Sequence, residues 1–260
     1  MFGRHKPICT ASRLFGVNRE VSNQMQEELQ LFETILWSKG SGFFLLDEHL
    51  RRLQNGARFF KFSVDLEKVI IELENKSEGF STENQRVRLV LEKDGRISVL
   101  ATPWELPPFL TLPLAEDALQ RPAVQRIRFA DAPVSDSGPF RSYKTTCRPE
   151  YDSEYRRVVK RGELDAIFCN VRGEVTEGCI SNIIILKDGI YFTPPLSCGI
   201  LPGVMRAQLL ARSQSSPPLL EQVLTRGDVE KADAVFICNS VRGVVRVTLM
   251  TPDKTQSPAL

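Results

Sequence analysis

The sequence predicts a mixed α/β (α+β) protein of two domains. Its 260 residues, 42% of them hydrophobic, are enough for two cores of ordinary size. Segments that alternate like hairpin strands recur along the chain, with amphipathic helical segments between them. A proline-rich stretch interrupts this pattern; its prolines are Pro103, Pro107, Pro108, Pro113 and Pro122. We therefore expect a first domain at residues 1–108, a connector at 109–123 and a second domain at 124–260.

Charge and cysteine content narrow the class of partner. The 34 Lys and Arg residues are interspersed with 32 Asp and Glu residues, for a net charge of +2, so we expect neither nucleic acid nor an anionic membrane as partner. No apolar run approaches the roughly 20 residues of a membrane span. The six cysteines show neither CxxC pairs nor the spacing of a secreted disulfide framework. These features predict a cytoplasmic protein that acts on a small molecule.

In the first half, the pattern predicts two hairpins and two amphipathic helices. The hairpins are expected at residues 29–46 and 85–100, and the helices at 47–60 and 64–77. Asp47 is expected to cap the first helix because an aspartate side chain accepts hydrogen bonds from the free N–H groups of a helix start.

Three arginines of this half have a structural and a functional interpretation. Arg52, on the first helix, is either a solvent-exposed residue or a phosphate ligand. Arg86 and Arg88 share one face of a strand, where they either face solvent or bind a substrate carboxylate. The residues alone leave both choices open.

In the second half, short apolar runs indicate buried strands, and helical spacing separates them. Strands are expected at 124–129, 164–170, 183–185, 190–192 and 234–238, and helices at 151–159, 203–211 and 227–231. The last strand ends at Asn239 and Ser240, where polar side chains at a strand end commonly contact ligands.

The stretch from Glu174 to Arg206 concentrates the features of a binding site. Glu177 precedes a predicted hairpin, and a glycine-containing turn at 199–203 precedes a helix whose first N–H groups are free. Such a helix start binds a phosphate or a carboxylate. This signal is weak alone, but Glu177 and the upstream Lys144 add a carboxylate and an amine to it.

Six short motifs follow one another along the chain. They are Phe32-Glu33-Thr34, His49-Leu50-Arg51-Arg52-Leu53, Lys144-Thr145-Thr146, Thr176-Glu177-Gly178 with Ser181-Asn182, Gly199-Ile200-Leu201-Pro202-Gly203 with Arg206, and Cys238-Asn239-Ser240. In this order and spacing they resemble the fold-type IV pyridoxal-phosphate enzymes over about residues 29–250, and most of all the 4-amino-4-deoxychorismate lyases. The resemblance implies a small N-terminal α+β domain, a larger barrel-like C-terminal domain and pyridoxal 5'-phosphate in the cleft.

The resemblance also implies roles for individual residues. Lys144 would hold the cofactor as a Schiff base and transfer protons, and Glu177 would face the pyridine nitrogen. The cofactor-binding set that it implies is Arg52, Lys144, Glu177, Ser181, Asn182, Leu201, Val204, Met205, Asn239 and Ser240. The phosphate ligands among them are Arg52, Ser240 and the backbone N–H groups of Val204 and Met205. The chemistry independently requires a lysine that can lose its proton and a buried carboxylate beside the ring nitrogen.

The implied reaction converts 4-amino-4-deoxychorismate to 4-aminobenzoate and pyruvate for folate synthesis, with Arg88 and Arg242 expected to bind the substrate carboxylates. One alternative is an aminotransferase acting on a branched-chain or D-amino acid, because the lysine and the cofactor serve both reactions. The substrate-binding residues of those aminotransferases have no clear match here. A non-catalytic homologue is a second alternative.

Two further expectations come from the family. Its members are dimeric, so the resemblance implies a homodimer in which the partner subunit completes the site. It also implies a functional link with aminodeoxychorismate synthase. Tyr143 departs from the lyase-like pattern, which typically has His before the lysine.

Overall fold

A four-stranded antiparallel sheet forms the first half of the fold. The computed structural model describes residues 29–105, 123–134, 139–212 and 218–250. The strands of the first sheet are β1 (Leu31–Ser38), β2 (Gly42–Phe43), β3 (Asn84–Leu91) and β4 (Ile97–Pro103), in the spatial order β2-β1-β3-β4. Its helices are α1 (Leu46–Phe60) and α2 (Leu66–Ser77). Both predicted hairpins and both predicted helices are confirmed, although β2 has only two residues.

This sheet has one face that packs on the helices and one that lines a cavity. Val87, Leu89 and Leu91 of β3 are fully buried in a core that includes residues of α1 and α2. Because successive residues of a strand point to opposite faces, Arg86 and Arg88 lie on the other face, and both line the cavity.

The start of α1 differs from the prediction. Asp47 does not cap the helix, because the chain turns more tightly after β2 and the helix begins at Leu46. Leu45 occupies the cap position in a left-handed conformation, with φ 54°. Asp47 lies in the first turn, where its negative charge complements the positive end of the helix.

A barrel-like sheet forms the second half. Its strands are β5 (Gln125–Phe129), β6 (Asp165–Cys169), β7 (Val175–Gly178), β8 (Asn182–Lys187), β9 (Ile190–Thr193), β10 (Leu219–Glu221), β11 (Ala234–Asn239) and β12 (Gly243–Met250). Their order is β10-β9-β8-β11-β12-β5-β6-β7, and an added pairing of β7 with β8 closes the ring. The helices are α3 (Pro149–Lys160), α4 (Val204–Ala211) and α5 (Arg226–Glu230), with 3₁₀ turns at Pro139–Arg141 and Leu196–Cys198. This confirms the expected small sheet followed by a larger barrel-like one.

Three strands, β7, β10 and β12, lie outside the predicted set. β7 has four residues and β10 has three, which is too short to show alternation. Burial along β12 does not alternate either. β7 is nonetheless fully buried between β6 and β8, so tertiary pairing fixes it.

The segment that contains Lys144 joins the two halves. Phe32 N–H donates to the Lys144 carbonyl (3.0 Å), and Thr146 N–H donates to the Gln30 carbonyl (3.0 Å). The segment therefore pairs with the start of β1, although it follows β5 in the chain. The predicted connector at 109–123 falls almost entirely outside the described residues, as do residues 1–28.

Among the helices of the described ranges, none is both long enough and apolar enough to cross a bilayer.

Candidate active site

A cavity of about 400 Å³ lies where the free face of the first sheet meets the ends of β7, β8 and β11. All residues that the sequence predicted for the site line it: Arg52, Arg88, Lys144, Glu177, Ser181, Asn182, Leu201, Val204, Met205, Asn239, Ser240 and Arg242. The fold thus brings the predicted set together, and the role of each residue stays a prediction.

Lys144 presents its amine to this cavity. Its Nζ lies 4.6 Å from the centre of the Phe32 ring. Burial and, to a lesser degree, the positive charge of Arg52 lower the pKa of Lys144 to about 7, against the opposing charge of Glu33. A large share of this amine is therefore neutral near pH 7, as a nucleophile or a base must be.

Glu177 is a buried carboxylate at the end of β7. Its Oε2 accepts hydrogen bonds from Leu201 N–H (3.1 Å) and Asn182 Nδ2 (3.3 Å), and its Oε1 accepts one from Tyr151 Oη (3.1 Å). Burial raises the pKa of Glu177 to about 7, although these donors oppose that rise. A cationic N–H group in the cavity would stabilise the ionised form.

Arg52 is not a solvated residue of α1. Its Nε and Nη2 donate to the two oxygens of Glu33 (2.8 and 2.5 Å), and His49 Nδ1 contacts the same carboxylate (2.7 Å). Its Nη1 donates to the Pro202 carbonyl (3.1 Å). The guanidinium is therefore fixed beside the start of α4.

The start of α4 offers free backbone donors. Gly203 occupies the cap position without a side-chain cap, and the first helical bond runs from Ala207 N–H to the Gly203 carbonyl. The N–H groups of Val204 and Met205 therefore have no partner within the helix. A Cβ at Gly203 would lie 1.8 Å from Asn182 Oδ1, so only glycine allows this close approach.

Several predicted residues use their polar groups within the protein. Ser181 Oγ donates to the buried Asp165 (2.6 Å). The Asn239 amide donates to the Ile180 carbonyl (3.2 Å), and its oxygen accepts from Arg242 N–H (2.8 Å). We therefore expect Ser181 and Asn239 to shape the cavity wall.

Arginines supply most of the charge in the cavity. Arg88 lies 4.0 Å from the Phe32 ring centre, while Arg86 and Arg242 lie 5.5 and 4.6 Å from that of Trp104. Within the described ranges these three arginines form no ion pair with a carboxylate. Burial lowers the pKa of Arg88 and of Arg242, and neighbouring arginines add to this effect.

Tyr151 and Trp104 were missed by the sequence patterns. Tyr151 contacts Glu177 from a helix that starts several residues after Lys144, and Trp104 follows the last residue of β4. Tyr151 begins the predicted helix at 151–159, but neither residue belongs to one of the six motifs, so no local signal marked either of them as a site residue.

Pyridoxal 5'-phosphate fits this set of donors. Its aldehyde needs a neutral amine, its ring nitrogen a buried carboxylate, and its phosphate a cation beside free N–H groups. One cavity offers all three. The amine is that of Lys144, the carboxylate is that of Glu177, and the cation is Arg52 beside the free N–H groups at the start of α4.

Comparisons with known proteins agree with this interpretation. The family model described as "Amino-transferase class IV" matches residues 30–250. A candidate aminodeoxychorismate lyase of Schizosaccharomyces pombe is 29% identical over 238 residues, which cover 88% of this chain and 93% of that protein.

Solved structures are similar over most of the chain. The crystal structure of a candidate amino-acid aminotransferase from Mesorhizobium loti has a TM-score of 0.74 and 30% identity, covering 86% of this chain and all of that one. The PLP-bound form of a hypothetical aminotransferase from Mycobacterium tuberculosis has a TM-score of 0.69 and 22% identity, covering 92% and 86% of the two chains. The second likeness concerns the fold alone.

Proposed function

The chain belongs to the class IV aminotransferase family, and from this premise we propose that it is an aminodeoxychorismate lyase. It would convert 4-amino-4-deoxychorismate to 4-aminobenzoate and pyruvate. Family membership makes it an enzyme that uses pyridoxal 5'-phosphate. Family membership does not decide between a lyase and an aminotransferase. The charge of the cavity supports the lyase.

The observation that carries the proposal is the group of cavity arginines without a carboxylate partner. Arg86, Arg88 and Arg242 line the same cavity, and their like charges repel one another. Bound carboxylates relieve this repulsion and accept charge-assisted hydrogen bonds. 4-Amino-4-deoxychorismate carries two carboxylates, whereas a branched-chain amino acid carries one beside an apolar side chain. The cavity therefore favours the dianion.

Lys144 is suited to the proton transfers of this reaction. The bound cofactor supplies an electron sink for the electrons released at the substrate carbon. Lys144 takes the proton from the ring carbon that bears the amine, and later delivers a proton to the methylene carbon of the released enolpyruvate. The bond between the ring and the ether oxygen breaks, and the ring becomes aromatic. Atoms balance without water, an oxidant or an amino acceptor.

An aminotransferase is the second candidate. The Mesorhizobium loti structure, named as a candidate amino-acid aminotransferase, supports it at 30% identity. Both reactions need Lys144 and the same cofactor. They differ in stoichiometry, because amino transfer consumes a keto acid and elimination does not.

The test is product formation from 4-amino-4-deoxychorismate by the purified, cofactor-loaded protein. We expect 4-aminobenzoate and pyruvate in equal amounts with no keto acid added, and no product from Lys144→Ala. Turnover that requires 2-oxoglutarate or another keto acid, without pyruvate release, would support the aminotransferase instead.

Three wider proposals accompany the lyase. The substrate would come from aminodeoxychorismate synthase, and 4-aminobenzoate would enter folate synthesis. We also propose a homodimer, which analytical ultracentrifugation would detect as twice the chain mass of 29.3 kDa. A cytoplasmic location would suit the cysteines, which are free wherever the structure describes them.

A further inference from the structure

Tyr151 makes a buried contact with Glu177, although it belongs neither to the six sequence motifs nor to the cavity wall. The residue lies in the first turn of α3, is 7% exposed, and packs its ring 4.8 Å from that of Phe168. Its Oη donates to Glu177 Oε1 at 3.1 Å. The side chain thus reaches the predicted partner of the cofactor from behind the cavity.

The Glu177 carboxylate is held from three directions. Oε2 accepts from Asn182 of β8 and from Leu201 N–H in the loop before α4. Among the described residues, Tyr151 is the hydrogen-bond donor to Oε1. Three separate elements thereby fix the plane of this carboxylate.

We propose that Tyr151 is a positioning residue that keeps Glu177 ionised and oriented toward the ring nitrogen of the bound cofactor. A buried carboxylate without donors takes up a proton, and it then no longer stabilises a proton on the ring nitrogen. A phenol that donates to Oε1 favours the ionised form. The same bond leaves the carboxylate little freedom to rotate.

The charges around Glu177 agree with this role. Burial raises the pKa of Glu177 to about 7, and the opposing contributions come from Leu201 N–H, Tyr151, Arg148 and Lys144. Burial also raises the pKa of Tyr151, and the Glu177 charge raises it further. Tyr151 therefore remains a protonated donor at every pH at which the enzyme would work.

This inference depends on the position of the cofactor ring at Glu177 and not on which reaction follows. If the lyase assay fails and amino transfer is found instead, the role of Tyr151 is unaffected. If the role of Tyr151 fails, the lyase assay can still succeed.

The test uses the cofactor-loaded protein with ring-¹⁵N-labelled pyridoxal 5'-phosphate. In Tyr151→Phe we expect the ¹⁵N resonance to move toward that of the unprotonated ring, because a more basic Glu177 competes for the proton. Loss of a hydrogen bond to a charged group should also weaken cofactor binding about tenfold or more. In the cofactor-free protein, the pKa of Glu177 should rise by about one unit.

Tyr155→Phe is the matched control. It removes a phenol that lies on the same helix and in the cavity wall, but that is hydrogen-bonded to Arg242 instead of Glu177. Its ¹⁵N resonance should match that of the wild type. An unchanged resonance and an unchanged Glu177 pKa in Tyr151→Phe would overturn the proposal, as would equal changes in both variants.

Discussion

The buried carboxylate of Glu33 should make the stability of the protein strongly dependent on pH. Glu33 is 1% exposed, and Arg52 and His49 both contact it. Burial alone would raise the pKa of Glu33, but the charges and hydrogen bonds of these partners lower it from 4.5 to about 2. That difference corresponds to about 3 kcal/mol in the free energy of unfolding.

The direction of the pH dependence follows from the sign of the pKa change of Glu33. Because the pKa of Glu33 is lower in the folded state, this stabilisation is complete above pH 4.5 and is lost as the pH falls toward 2. Glu33→Gln should therefore lower the free energy of unfolding at pH 7 by about 3 kcal/mol. This value agrees with the typical cost of breaking a buried ion pair, about 3–5 kcal/mol. The difference from the wild type should shrink as the pH falls through this window.

Urea unfolding of the cofactor-free protein at a series of pH values would measure this difference in the free energy of unfolding. Glu174→Gln is the control. Hydrogen bonds from Arg172 and Asn170 lower the pKa of Glu174 to about 2 as well, but Glu174 lies near the surface, where water screens the charge. Glu174→Gln should therefore lower the free energy of unfolding much less than Glu33→Gln does. A difference between wild type and Glu33→Gln that does not vary with pH would refute the reasoning, as would an equal loss in Glu174→Gln.

Three other variants test the site. Lys144→Ala should abolish the visible absorbance of bound cofactor, since its amine is the predicted anchor; a cofactor link that borohydride still fixes would indicate another lysine. Arg52→Ala should weaken cofactor binding about tenfold or more in a fluorescence titration, whereas the exposed Arg51 should tolerate alanine; equal affinities would remove Arg52 from the phosphate site. Arg88→Ala and Arg242→Ala should each raise the KM for 4-amino-4-deoxychorismate far more than they alter the cofactor spectrum; unchanged KM values would place the carboxylate site elsewhere.

Much of the fold could be predicted because its signals are local. Alternation identified β3 and β4, a continuous apolar run identified β8, and helical spacing identified α2. The four residues of β7 are fixed instead by their neighbours β6 and β8, which alternation cannot reveal. Asp47 was wrongly predicted as a cap because the tight turn at Leu45 depends on how the chain leaves β2.

The site could be assembled from the sequence only through the resemblance. Lys144 and Glu177 are 33 positions apart, and no periodic pattern joins them. Tyr151 was not predicted because its contact depends on the angle between α3 and β7, which a sequence pattern does not contain. The arginines were identified as candidates, but only the structure shows that Arg52 has a carboxylate partner while Arg88 does not.

The pairing of the Lys144 segment with β1 has a consequence for dividing the protein into modules. The domain boundary predicted from the sequence does not coincide with the boundary between the two sheets in space, because the Lys144 carbonyl accepts a hydrogen bond from Phe32 N–H of the first sheet. A fragment cut in the proline-rich stretch would carry the lysine and Glu177 without the strand that fixes the lysine and without Arg52. Splitting this gene there would yield two chains that must reassociate before either could retain the cofactor.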